Sequence, residues 1–153
     1  MPEIILKTTI DASIQTCFDL ARSIDLHKIS THRTKEYVIA GRKEGLIKKG
    51  ETVTWRAKHF GIWQNLTVQI TAFEEPKYFC DEMKKGIFKN FKHDHIFEEK
   101  EGRTIMIDRF NFESPLGILG EIFNTLVLTN YMKKFLEKRN EVIKEYAEQN
   151  LLI

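Results

Sequence analysis

The sequence has little cysteine: Cys17 and Cys80 are its two thiols, and both stand inside apolar patterns. That argues against a disulfide framework or a multi-cysteine metal site and suits two free thiols buried in a reducing compartment. Long hydrophobic runs are missing as well, since no stretch of about 18 apolar residues is present to span a bilayer. The start, Met1-Pro2-Glu3-Ile4-Ile5-Leu6-Lys7, has none of the basic head, apolar core and small-residue cleavage site of a secretory signal. A cytoplasmic location is the expectation. Charge of one sign is scarce too: 24 Lys and Arg against 22 Asp and Glu leave +2, far from the basic excess of a nucleic-acid binder. Gly117 and Gly120 precede a helix but lack the strand and spacing of a phosphate cradle. With no nucleophile elbow and no paired CxxC, nucleotide hydrolysis and serine-hydrolase chemistry are disfavoured.

What is present is the material of one core. A chain of 153 residues, 42% apolar and 11% aromatic, fits a single domain over 1–153, because two halves would each be marginal in core burial. Residues 3–10 read as a strand, and Asp11-Ala12-Ser13 offers caps for a helix carrying Ile14, Cys17, Phe18 and Ala21 at helical spacing. A second short helix follows over Ile24 to Ile29. From Glu36 to Phe112 the pattern is strands: Tyr37-Val38-Ile39, then 51–60, 62–73, 77–84, 88–98 and 103–113, punctuated around Gly61, Pro76, Gly86 and Gly102. Gly41 to Gly50 is a loop in which Leu46-Ile47 sits between Arg42, Lys43, Lys48 and Lys49. A solvated loop is expected there in preference to a contact with an acidic lipid surface.

After Ser114-Pro115-Leu116-Gly117 a long helix is expected over about 118–148. Its apolar stripe is Leu119, Ile122, Phe123, Leu126, Val127, Tyr131, Met132, Phe135, Leu136, Val142, Ile143 and Tyr146, with Lys133, Lys134, Glu137, Lys138, Glu141 and Lys144 opposite as a solvated face. About 30 residues at 1.5 Å each make a rod of about 45 Å, long enough to cross a whole curved sheet.

Alternation sorts the strand residues onto an inner face: Val53, Trp55, Ala57 and His59; Leu66, Val68, Ile70 and Ala72; Phe79, Asp81 and Met83; Phe91, His93, His95 and Phe97; Met106, Asp108, Phe110 and Phe112. Polar groups lie among aromatics. A short turn at Lys100 to Gly102 sets His95 opposite Met106 and His93 opposite Asp108, with Asp81 reaching His93 from the other side. The expected cluster is Asp81, His93 and Asp108, with His95 and His59 further along the wall. Such groups can form a self-satisfied hydrogen-bond network, contact a ligand, or move a proton, and His93, Asp81 and Asp108 are the catalytic candidates. His93-x-His95 with a carboxylate has the ligand types of a two-His one-carboxylate site, but neighbouring inward residues on one strand are common without metal, and no metal or cofactor is assigned.

The strings Gly50-Glu51-Thr52-Val53-Thr54-Trp55-Arg56-Ala57-Lys58-His59-Phe60-Gly61, Phe91-Lys92-His93-Asp94-His95-Ile96-Phe97 and Ser114-Pro115-Leu116-Gly117 resemble the bacterial SRPBCC (START-like) superfamily, close to its polyketide cyclase/dehydrase-like or ligand-binding subgroup. The resemblance runs from about Glu3 to Lys144. It implies an α+β helix-grip fold: a curved antiparallel sheet of about seven strands around a long C-terminal helix, two short helices after the first strand, and a hydrophobic cavity between sheet and helix. Residues matching the subgroup are Trp55, His59, Phe60, Gly61, Asp81, His93, His95, Asp108 and Tyr131.

The superfamily includes carriers, receptors and enzymes, so fold alone leaves function open. The leading expectation is a monomer or homodimer that binds a small apolar or amphipathic molecule, lipid-like or polyketide-like, through Trp55, His59, Phe79, Asp81, Phe91, His93, His95, Asp108 and Tyr131. No nucleic-acid partner and no stable membrane insertion are expected. The alternatives are a cyclase or dehydratase using the His/Asp cluster, and an interaction module docking through a sheet edge or the Leu46-Ile47 loop.

Overall fold

Two serines mark where extended chain turns into helix. Ser13 Oγ accepts a hydrogen bond from Thr16 N and Ser23 Oγ from Leu26 N, satisfying one free amide at the start of each short helix. In the computed structural model, which describes residues 2–114, 117, 122 and 124–151, these helices are α1 (Ile14–Ala21) and α2 (Ile24–Ser30). They follow β1 (Glu3–Ile10) and precede β2 (Tyr37–Gly41), β3 (Thr52–His59), β4 (Ile62–Glu74), β5 (Tyr78–Lys85), β6 (Asn90–Lys100) and β7 (Arg103–Glu113). The long helix α3 (Thr129–Glu148) is led by a wider π turn over Asn124–Leu128. The strands form one curved antiparallel sheet in the order β1-β7-β6-β5-β4-β3-β2, so β1 crosses over to pair with β7 while β2 to β7 run as a meander. This is the helix-grip arrangement.

Hairpin length sets the register. β3 and β4 join through Phe60-Gly61 and β6 and β7 through Glu101-Gly102, and in each two-residue loop both φ angles are positive: 52° and 76°, 54° and 77°. Such turns match the right-handed twist of the flanking strands, and glycine at the second place avoids the steric cost of a Cβ there. The second turn corrects an expectation. Lys100 pairs with Arg103, so His95 lies opposite Asp108 and His93 opposite Phe110, two residues away from the expected pairing. The expected pairing needs a two-residue turn at Lys100-Glu101; the turn instead sits at Glu101-Gly102, one residue further along, and that moves every partner by two.

Two other departures have local causes. The β4–β5 register shifts between Ile70 and Ala72, and this bulge interrupts the alternation. Phe73, not Ala72, consequently packs on the core, with its ring 5.3 Å from that of Phe18. In the C-terminal helix Leu119 and Phe123 lie outside the described residues, as do Pro115, Leu116, Gly120 and the start expected near 118. Ile122, Leu126 and Val127, expected on the core stripe, are exposed, and Leu128 is buried. The π turn is wider than 3.6 residues, so spacing by threes and fours does not carry through it. Beyond it the stripe holds: Leu136, Val142 and Ile143 are buried, and Tyr131, Met132, Phe135 and Tyr146 pack at its edges. The Leu46-Ile47 loop is likewise not an exposed apolar pair. Ile47 is buried, and half-buried Leu46 bridges Ser23.

Candidate functional site

Inward-facing residues of the sheet and the underside of α3 line a partly open cavity of about 160 Å³. Its aliphatic floor is Leu66, Val68 and Ile70 on β4, flanked by Val53 and Trp55 on β3 and by Phe91 and Phe110 on β6 and β7. Leu128, Tyr131, Met132, Phe135 and Leu136 form the roof, and Ile24 and Ile47 close one side. Alternation explains the floor, since each strand sends every second side chain to this face.

The polar island is built by β5, β6, β7 and α3. Asp81 sits directly opposite His93, and His95 opposite Asp108, yet the hydrogen bonds run along the diagonals. His95 Nε2 is 2.7 Å from Asp81 Oδ2, and His93 Nε2 is 2.8 Å from Asp108 Oδ1. His95 Nδ1 lies 3.3 Å from Asp108 Oδ1, close enough for an ion pair but without a well-aligned hydrogen bond. The two imidazoles face each other with ring centroids 3.7 Å apart, and Phe79 stacks on the far side of His95 at 4.1 Å.

The helix supplies the rest of the network. Asn140 Nδ2 donates to Asp108 Oδ2 at 2.6 Å, and Arg139 Nη1 reaches Asp108 Oδ1 at 3.5 Å and Asn140 Oδ1 at 3.0 Å. Arg139 Nη2 donates to the carbonyl of Ala21 at 3.0 Å, tying α3 to the end of α1. Sequence reasoning left Arg139 and Asn140 unassigned. The signal was the gap in the apolar stripe between Leu136 and Val142, where a polar residue had to face inward.

Opposed forces fix the charges. Burial pushes the Asp108 carboxyl up, but the His93 hydrogen bond, the close His95 ring and the Arg139 charge overcome it and hold it well below the usual range. Asp81 is also lowered: burial raises it, and the His95 hydrogen bond together with the charges of His95, His93 and Arg139 outweighs that. Burial drives His93 down with help from the His95 charge, whereas His95, despite its own burial, is raised by the Asp108 carboxylate close to its Nδ1 and by its hydrogen bond to Asp81. The proton is therefore held on His95 in preference to His93. With Asp108 ionised, His93 Nε2–H donates to it, which leaves the ring lone pair on Nδ1.

Of the nine residues proposed from sequence, Trp55, His59, Phe79, Asp81, Phe91, His93, His95 and Tyr131 line the cavity. Asp108 does not; it is fully buried behind the two histidines. His59 stands apart from the island, with Nδ1 2.6 Å from the Tyr131 hydroxyl, and burial keeps its ring neutral. Phe97 belongs to the solid core beside Phe18. The thiols are free and buried, and burial raises Cys17 and takes Cys80 up to about 11, so both stay protonated and inert. Asp81, His93 and His95 offer three donor atoms within 4.8 Å of one another, the types of a two-His one-carboxylate set. As arranged, Asp81 Oδ2 and His95 Nε2 are hydrogen-bonded to each other.

No protein-family model matches the chain, and no curated protein matches it in sequence. Solved structures do match in shape. A protein from Thermus thermophilus is similar with a TM-score of 0.78 at 15% identity, covering 97% of this chain and 99% of that one. A START superfamily protein from Mycobacterium smegmatis has a TM-score of 0.72 at 12% identity over 97% and 98% of the two chains. The di-domain ARO/CYC protein StfQ of the steffimycin biosynthetic pathway matches with a TM-score of 0.74 at 10% identity, over 97% of this chain and 51% of that one. At such identities the likeness is one of fold, and the fold is the START-like helix grip. Among the described residues no helix is long and apolar enough to cross a membrane.

Proposed function

We propose that this protein is a cytoplasmic binder of a small hydrophobic or amphipathic molecule, held between the sheet and α3. The observation that carries the reading is the cavity itself: aliphatic and aromatic walls with convergent polar groups gathered in one region of the lining. Its volume of about 160 Å³ is close to that of engineered apolar cavities of about 150 Å³ that admit benzene, so a ring with a short arm is the right scale. The START-like fold of the matching structures is consistent with this reading. Mass spectrometry of the solvent extract of purified protein, with Leu66→Trp as the blocked control, tests it. A small molecule released by the wild type and absent from the control supports binding; identical blank extracts, with no probe bound by either protein, rule it out.

A second reading has one observation in its favour. Neutral His93, backed by ionised Asp108 and lining the cavity, has the form of a general base for a cyclase- or dehydratase-type step. Incubation of the extracted molecule with excess protein decides it. A changed mass or retention time that His93→Ala abolishes supports catalysis, and an unchanged molecule rules it out.

A further inference from the structure

Resting on the ligand-binding reading, we infer that the cavity selects a molecule whose polar end donates hydrogen bonds, an alcohol, phenol or amine, and discriminates against a carboxylate. The inference comes from what the polar groups have left to offer once their mutual bonds are counted.

The cations of the lining are engaged. Arg139 is bound to Asp108, Asn140 Oδ1 and the Ala21 carbonyl. Arg22 is bound through Nε and Nη2 to Asp19 and through Nη1 to the Ile47 carbonyl. His95 has Asp81 at one nitrogen and Asp108 at the other. Glu36 is engaged as well, between His27 Nε2 and the Thr34 hydroxyl. Asp108 accepts from three side chains and is fully buried.

Asp81 differs from all of these. Its Oδ2 takes the His95 bond, while Oδ1 has no hydrogen-bond partner among the described residues, and 16% of the side chain remains accessible on the cavity wall. At this point of the wall the group presented to an occupant is thus an ionised acceptor. A hydroxyl or ammonium placed there satisfies it. A carboxylate placed there meets like charge, and Arg139 and His95 cannot turn to it without giving up Asp108 or Asp81.

Three probes of one skeleton test this on the whole protein: 3-phenylpropanol, 3-phenylpropylamine and 3-phenylpropanoate, titrated calorimetrically at neutral pH. The alcohol and the amine are expected to bind at least about tenfold more tightly than the acid, the scale of one charge-assisted hydrogen bond. Asp81→Asn should erase most of that preference while leaving the alcohol bound. Equal affinities, or the acid binding best, overturn the head-group assignment and leave the ligand-binding reading standing. Failure of all three probes overturns the reading beneath it. If Asp81→Asn does not fold, the order of the three affinities on the wild type decides alone.

Discussion

The inner face of the sheet has two ends made of similar residues, one solid and one hollow. Under α1 the Phe18 ring stands edge-on to Phe73, Phe79 and Phe97 at 5.3, 5.6 and 5.5 Å, with no solvent exposure. Under α3 the equally apolar Leu66, Val68 and Ile70 face open space. What differs is the cover. The short helix, entered directly from β1 through a serine cap, brings one large ring down onto β4, β5 and β6. The long helix is held off by the Arg139 and Asn140 side chains, which stand on Asp108, and by Tyr131 on His59. Polar struts keep apolar walls apart, and the hydrophobic pattern alone does not say which end will be filled.

The largest test strikes the strut. Asp108→Ala leaves His93, His95, Arg139 and Asn140 buried without their shared acceptor, and removing one partner of a buried charge network costs about 3–5 kcal/mol. Urea unfolding should show a correspondingly lower midpoint; a loss below about 1 kcal/mol would mean the network bears little of the structure.

The second test breaks the comparison directly. Phe18→Ala at the solid end should cost about 4 kcal/mol, and Leu66→Ala, whose side chain already borders empty space, about 2 kcal/mol, the low end for such truncations. Equal losses in parallel denaturant titrations would show that the two ends are packed alike.

The smallest effect is in pH, and it should belong to the hollow end. His95 is raised above its ordinary 6.5, so its contribution is complete below pH 6.5 and fades as pH rises through the folded value. His93 and His59 are lowered, so stability also falls as pH drops from 6.5 toward their folded values, because the unfolded chain takes up protons that the folded one refuses. A stability maximum near pH 6.5 is expected in melting curves. His95→Gln should flatten the alkaline side and His93→Gln reduce the acid side. Phe18→Ala should lower the curve without changing its shape, and a changed shape would contradict the division.

Much of this was legible in the sequence for simple reasons. Period-two alternation placed Trp55, Leu66, Val68, Phe91 and His93 on the inner face, because a half-buried strand offers few other ways to hide its apolar side chains. The diagonal bonds from Asp81 to His95 and from His93 to Asp108 were not legible. They depend on a two-residue turn at Glu101-Gly102, one residue beyond the place the expected pairing required. Ala72 and Phe73 exchanged places at a bulge, and Leu126 and Leu128 at a π turn; each is a local break in period that leaves composition unchanged. Arg139 escaped because a cation in a core stripe makes sense only once its buried carboxylate is in view.

The Glu101-Gly102 hairpin lies about five residues, or about 17 Å of strand, from His95. It nevertheless acts as the length standard by which β7 is read against β6. A slip of one residue there would turn Asp108 outward and present Arg109 to the cationic ring of His95. Insertions at this exposed turn are in effect edits to the cavity's charge, made from a place no ligand touches.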